Sequence, residues 1–131
     1  MSVLRAAVIG LAGLAILWPS APPTAHPGLP GSEWRVVEIA GHTASGFGTL
    51  RFTQTSVRGK AGCNTYMGAF REAGGMIEIA GLAATRMLCR DGAEAEQSFL
   101  EALALVKSYR VDGAMVVLLD AAGQAIMKLA D

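Results

Sequence analysis

The feature that most restricts the fold of this chain is a series of short segments in which apolar and polar residues alternate, separated by turn residues. In residues 50–53, for example, Leu50 and Phe52 alternate with polar residues, which is the period of a strand with one buried face. Segments joined by hairpins cannot form a parallel sheet, because parallel pairs need long crossovers. The sequence therefore predicts an antiparallel sheet. Its predicted strands are Trp34–Ile39, Leu50–Phe52, Ser56–Ala61, Tyr66–Phe70, Met76–Ile79, Tyr109–Val111, Met115–Leu119 and Ala125–Leu129.

One stretch changes from the strand period to the helical period. Asp91, with Glu94 three residues further on, is typical of a capping box at the start of a helix. Apolar residues then recur at the i, i+4, i+7, i+8 and i+11 spacing of one helical face. We therefore expect one amphipathic helix before the last three strands. Its apolar face holds Ala95, Phe99, Ala102, Leu103 and Val106, and its solvated face holds Glu96, Gln97, Glu101 and Lys107.

These elements predict the fold class. About eight short strands with one inserted helix favour an α+β fold, in which a curled antiparallel β-sheet or barrel-like meander carries one amphipathic helix. Residues 43–48 are predicted to form a loop. Residues 81–90 show no clear period, and we expect a loop without regular structure that brings Cys89 to the body of the domain.

Residues 1–25 have the pattern of a signal peptide for export. Arg5 is the only charged residue in this segment, and an unbroken apolar run from Ala6 to Trp18 follows it. The run is shorter than the ~20 residues that a membrane span needs, and prolines and small residues come after it. An uncleaved membrane tether is the alternative, because Pro occupies position −3 for cleavage after either Ala21 or Ala25.

The rest of the chain is long enough for one core. Residues 26–32 are rich in Pro and Gly and are predicted to be a flexible lead-in outside the core, so the domain comprises residues 33–131. Without Arg5, the Lys and Arg residues number 10 against 11 Asp and Glu, and they are scattered, which disfavours nucleic acid as a partner. We expect a soluble monomer that contacts membrane only through an uncleaved signal segment.

Cys63 and Cys89 are the two cysteines of the chain. Export places them where disulfides persist, so pairing is the expected state. A loop of that span would stabilise the fold by roughly 3.5 kcal/mol in the chain-entropy model. Free thiols with a reactive Cys63 are the alternative, but a thiol nucleophile needs a base. The two histidines, His26 and His42, lie in the predicted lead-in and a loop.

Two runs, Val57 to Phe70 and Leu82 to Cys89, carry a specific pair of motifs. They resemble the META domain, also called the HslJ-like heat-shock family. Its pattern is G-x-A-G-C-N-x-x-x-G-x-aromatic, then L-A-x-T-x-M-x-C and an amphipathic helix. With Trp34 and the Leu118–Asp120 run, the resemblance covers nearly all of the chain after the signal segment. The matching motif residues are Gly59, Ala61, Gly62, Cys63, Asn64, Gly68, Phe70, Thr85, Met87 and Cys89.

The resemblance implies a small exported or outer-membrane-associated bacterial domain, linked to heat shock and envelope stress, with no established enzymatic activity. Many family members are lipoproteins, whereas this chain has no Cys near the end of the apolar run. The motif residues Gly59, Gly62, Asn64, Gly68, Thr85 and Met87 are expected to have structural roles. Asn64 is predicted to supply a left-handed backbone position or a side-chain cap at a turn.

The leading hypothesis is a non-enzymatic exported domain that binds or supports a cell-envelope component under stress. A carrier of a small molecule or lipid is the alternative, with a groove between sheet and helix along the Phe99, Ala102, Leu103 and Val106 stripe. A thiol enzyme using Cys63 is the third hypothesis.

No cofactor and no metal are expected, because two Cys and two distant His offer no known ligand spacing. Gly59–Gly62 (GKAG) lacks the ending and the following helix of a phosphate loop. Its glycines instead indicate a bulge or a close approach of strands.

Overall fold

The computed structural model of the protein describes residues 28–131, so the predicted signal peptide and His26 lie outside the described residues. Within this range there are nine strands and one helix. In chain order they are β1 Glu33–Ile39, β2 His42–Thr43, β3 Thr49–Phe52, β4 Ser56–Ala61, β5 Asn64–Ala73, β6 Met76–Ala84, α1 Ala93–Leu105, β7 Ser108–Asp112, β8 Met115–Leu119 and β9 Ala125–Ala130.

The strands form one antiparallel sheet that closes on itself. Neighbours follow the order β2-β1-β3-β4-β5-β6-β7-β8-β9, and β1 also pairs with β9. The weakest link is between β6 and β7, where one residue pair, Met76 with Ser108, holds the register. The helix lies between these two strands in the sequence. The predicted α+β fold with a curled antiparallel sheet and one helix is confirmed.

The helix packs against the inner side of this ring and completes the core. The Phe99 ring lies 5.3 Å from the Tyr66 ring and 6.0 Å from the Phe47 ring, both in edge-on geometry. Of the predicted apolar face, Ala95 is exposed and the other four members are buried. The largest fully buried side chains are Leu29, Val36, Leu50, Phe52, Val57, Phe70, Phe99, Leu103, Val106, Leu118, Met127 and Leu129.

The start of the helix differs from the prediction. Gly92, with a φ of 94°, is the N-cap residue, and no side chain caps the helix. The Gly92 carbonyl accepts the first helical bond, from the Glu96 N–H at 2.8 Å. The left-handed glycine places Asp91 one residue outside the cap position. The prediction of an Asp91–Glu94 capping box is therefore wrong.

The expectation that residues 81–90 lack regular structure is wrong for the first four of them. The β6 strand continues to Ala84, which pairs with Tyr66 of β5. The register shifts between Met67 and Ala69, and Gly81 on β6 has a φ of 63°. A bulge of this kind interrupts the local period while the long-range pairing continues, which is why the sequence pattern did not reveal the strand.

The described part of the predicted lead-in belongs to the core. Leu29 is 1% exposed. The Gly31 N–H donates to the Phe52 carbonyl at 2.7 Å, and the Phe52 N–H donates to the Ser32 carbonyl at 2.9 Å. These bonds attach residues 28–32 to the end of β3, so the expectation that this segment stays outside the core is wrong.

Candidate functional site

Asn64, the first residue of β5, is 2% exposed and is the one buried polar residue within residues 28–131. Its Oδ1 accepts hydrogen bonds from the Thr85 hydroxyl and the Met87 N–H, both at 2.7 Å. Its Nδ2 donates to Glu96 Oε1 at 2.6 Å and to the Met87 carbonyl at 3.3 Å. Both ends of the amide are therefore fully used.

This network joins three parts of the fold: β5, the segment after β6, and α1. An amide fits this position because it donates and accepts at once, and a buried polar group without partners would be costly. Thr85 reinforces the junction, since its hydroxyl also accepts from the Thr65 N–H at 3.1 Å. Of the two roles predicted for Asn64, a left-handed backbone position or a side-chain cap, the structure shows a role for the side chain. The side chain does not cap a local turn, however, but joins segments that are distant in the sequence.

Glu96 was predicted on the solvated face of the helix, and that prediction is wrong. Its side chain is partly buried and accepts the bond from Asn64. Glu96 is three positions before Phe99 and seven before Leu103, so helical periodicity places it at the edge of the apolar face. The period gives no information about a partner 32 positions earlier in the chain. No local signal could have identified this contact.

Cys63 and Cys89 form a disulfide beside Asn64, with their Cα atoms 6.1 Å apart. Residues 28–131 contain no free cysteine. The predicted pairing is therefore present in the structure, and Cys63 has no free thiol in this state. His42, the histidine within the described range, lies exposed on β2.

The motif glycines lie where two segments approach closely or turn. A Cβ at Gly59 would clash with the Thr49 backbone and lie 2.8 Å from the Thr49 hydroxyl oxygen. A Cβ at Gly68 would lie 2.8 Å from a methyl carbon of Leu82, opposite the bulge in β6. Gly62, with a φ of 66°, forms the turn between β4 and β5. Gly59 permits a close approach of β4 to β3, as was predicted for the glycines of this run.

The segment of residues 85–90, here called the 85–90 loop, displays apolar side chains to solvent. Leu88 is 98% exposed and Met87 is 59% exposed. The backbone of Met87 is held by Asn64 on both its N–H and its carbonyl, and Cys89 is held by the disulfide. Leu88 therefore lies on a loop that is fixed on both sides. Leu88 could not be identified from the sequence, because the exposure of one residue in a segment without a period leaves no pattern.

A groove of about 580 Å³ runs between the second half of β6 and α1. It is not lined by the apolar stripe of the helix, because Phe99, Leu103 and Val106 are fully buried in the core. Its walls combine apolar side chains, among them four alanines, with polar and charged ones. Its side-chain lining comprises Leu82, Thr85, Arg86, Glu96, Gln97, Leu100 and Glu101.

A closed antiparallel sheet with one packed helix and one disulfide defines a class of small α+β domain. Similar folds occur in a Burkholderia xenovorans protein solved by NMR (TM-score 0.61, 20% identity, 86% of this chain and 97% of that one). A DUF4847 family protein from Bacteroides vulgatus is also similar (TM-score 0.61, 14% identity, 79% and 94% covered). The family model of the META domain matches residues 27–131, and the chain belongs to this family.

No curated protein sequence matches the chain. In the part of the chain that the structure describes, the helix is too short to cross a membrane.

Proposed function

We propose that this META domain is an exported, non-enzymatic protein that binds a component of the cell envelope through its 85–90 loop, in the stress response to which the family is linked. The observation that carries the proposal is Leu88, which is 98% exposed on a loop fixed by Asn64 and by the disulfide.

A fixed apolar side chain in solvent favours binding for a physical reason. Loops held by a rigid scaffold commonly carry binding residues. Because the loop is already ordered, a partner that covers Leu88 gains apolar burial without a large loss of loop entropy. Arg86 and Arg90 flank the apolar residues and would supply hydrogen bonds at the rim of such a contact.

Export is supported by the Cys63–Cys89 disulfide, because such bonds persist in oxidising compartments, and by the signal-like residues 1–25. A non-enzymatic role is supported by the family and by the bonded state of Cys63, since a disulfide sulfur cannot act as a thiolate nucleophile.

The alternative function, a carrier of a small molecule, is supported by the groove between β6 and α1. The charged Arg86 and Glu96 in its lining favour a polar ligand over a lipid chain. It ranks second because the apolar stripe expected to line a lipid site is buried in the core.

Export is tested by intact mass of the protein recovered from each cell fraction, alkylated before or after reduction. We expect the protein in the envelope or periplasmic fraction, without residues 1–25, with both cysteines alkylated only after reduction. A full-length cytoplasmic protein with reactive thiols would contradict export.

Binding is tested by a photoreactive residue at position 88 in living cells. We expect a cross-link to one envelope component from position 88 and none from position 121, an exposed site in the turn between β8 and β9. The same products from both positions would show collision without binding, and the proposed role of the loop would be abandoned.

A further inference from the structure

A second surface is marked by positive charge. No Asp or Glu occurs between Glu38 and Glu72. Within that stretch, the register places Arg51 of β3 directly opposite Arg58 of β4 on the outer face of the sheet. Lys60, two residues after Arg58, points to the same face. We call Arg51, Arg58 and Lys60 the basic face.

The basic face has little compensating charge. In the part of the chain that the structure describes, ion pairs join Arg71, Arg110 and Lys128 to carboxylates, whereas no cation of the basic face takes part in one. Glu33, the cross-strand neighbour of Arg51, is the one acidic residue on these rows. Neighbouring strands lie only about 4.8 Å apart, and like charges directly opposite each other are unfavourable. The arrangement would be relieved by an anionic partner.

The positive charge is a local feature and does not reflect a basic protein. The complete chain has a formal net charge of zero. Helix α1 carries Glu94, Glu96 and Glu101 and no Lys or Arg. The outer face of β3 and β4 therefore has a net positive charge and the helix a net negative charge, a difference that would help to orient the molecule in the field of an extended anionic surface.

We propose that the basic face docks on an anionic phospholipid membrane. The contact between the basic face and a membrane rests on the proposed function in one respect: export is what brings the domain to the envelope. It goes beyond the expectation of membrane contact through the signal segment alone.

The shape of the face favours a membrane over a small free anion. The depression lined by Arg51, Arg58 and Lys60, with the single acidic residue Glu33, is open and shallow, about 370 Å³, and the side chains of all three cations are exposed. Such a surface cannot enclose a phosphate ion. Met67, the cross-strand partner of Arg58, is 52% exposed and adds an apolar side chain beside the cations. Cations next to apolar side chains suit the headgroup region of a bilayer.

The test is co-sedimentation of the protein, as recovered from the cell, with vesicles of phosphatidylcholine or of equimolar phosphatidylcholine and phosphatidylglycerol. The test variant carries Arg51→Gln, Arg58→Gln and Lys60→Gln. The matched control carries Arg71→Gln, Arg110→Gln and Lys128→Gln, which removes the same charge from three ion-paired positions. Circular dichroism verifies that both variants are folded, and Arg58→Gln alone provides a milder variant.

We expect the unaltered protein to bind the anionic vesicles about tenfold or more tightly than the neutral ones, with binding that weakens as salt rises. The basic-face variant should lose at least about tenfold in this preference, Arg58→Gln should lose part of it, and the control should stay within about twofold. An uncleaved signal segment would add the same binding free energy to every variant on both kinds of vesicle, so it would multiply all affinities alike and would not alter these ratios.

Three results would overturn the proposal: equal binding to both kinds of vesicle, equal loss in the two triple variants, or competition by inorganic phosphate or polyglutamate beyond that of sodium chloride at the same ionic strength. The last result would identify a free anion or an acidic protein as the partner. None of these results bears on the fractionation or the cross-linking from position 88, so the two proposals fail separately.

Discussion

Asn64 and Glu96, 32 positions apart in the sequence, are joined by a hydrogen bond of 2.6 Å from Nδ2 to Oε1. The same amide also holds the backbone of Met87. One buried side chain thus connects the sheet, the helix and the 85–90 loop. The position of Leu88, on which the proposed function rests, depends on this connection.

Replacement of Asn64 by Ala should lower the free energy of unfolding by about 2 kcal/mol or more, because the Met87 N–H and the Thr85 hydroxyl lose their acceptor. Glu96→Gln keeps an acceptor oxygen and should cost less than about 1 kcal/mol. Urea unfolding of both variants measures the difference. Equal costs would mean that the charge of Glu96, and not the amide junction, stabilises this region.

Removal of the disulfide in the Cys63→Ser, Cys89→Ser double variant should lower the free energy of unfolding by roughly 3.5 kcal/mol. The fold should persist, because Asn64 still holds the segment that precedes Cys89. Urea unfolding and a comparison of near-ultraviolet circular dichroism check both statements. The unaltered protein in reductant is the control, and it should match the double variant; a loss under about 1 kcal/mol would show that the bond constrains little.

Gly59→Ala should destabilise the protein by about 3 kcal/mol or more, because the added Cβ would clash with the Thr49 backbone. Gly113→Ala is the control, since a Cβ there meets no atom within 4 Å and only its φ of 64° opposes the change. That variant should lose only about 1 kcal/mol. Thermal unfolding of the two variants separates steric conflict from backbone strain, and similar losses would argue against the close strand approach.

Stability should fall at alkaline pH through the two tyrosines. Burial raises the pKa of the Tyr66 phenol, and burial together with the Glu72 carboxylate raises the pKa of Tyr109. A folded-state pKa above the unfolded value of about 10 means that this stabilisation is complete below that pH and is lost as pH rises. The buried Tyr66 should therefore ionise only as the protein unfolds, whereas the partly exposed Tyr109 can ionise in the folded protein at a pH above its ordinary range. The Tyr109→Phe variant isolates Tyr66, and tyrosinate at pH 10 in this variant while it retains its fold would contradict the expectation.

Leu88→Ser should change the free energy of unfolding by less than about 0.5 kcal/mol, because the side chain is 98% exposed. Leu103→Ala, at a fully buried position, should cost about 3 kcal/mol. Urea unfolding gives both values. A large loss in Leu88→Ser would show that Leu88 stabilises the fold and is not held for a partner.

Local patterns were sufficient for much of the fold. The alternation around Leu50 and Phe52 predicted β3, and the spacing of Phe99 and Leu103 predicted α1, because both periods repeat over a few residues. The pairing of Cys63 and Cys89 was predicted from there being two cysteines in a chain with the pattern of an exported protein. Whether a residue lies in a strand or in the helix could be predicted wherever the alternation or the helical spacing of apolar residues was unbroken.

The candidate site required the tertiary structure. The contact between Asn64 and Glu96, the buried Leu29, and the register that sets Arg51 opposite Arg58 all depend on which segments pair and in what alignment. A shift of one residue would move every side chain of a strand to the other face. The sequence by itself therefore determined most of the strands, the helix and the disulfide pairing. Only the closed sheet decided which polar side chain is buried, which apolar side chain is exposed and where the cations meet, because these depend on contacts between distant residues.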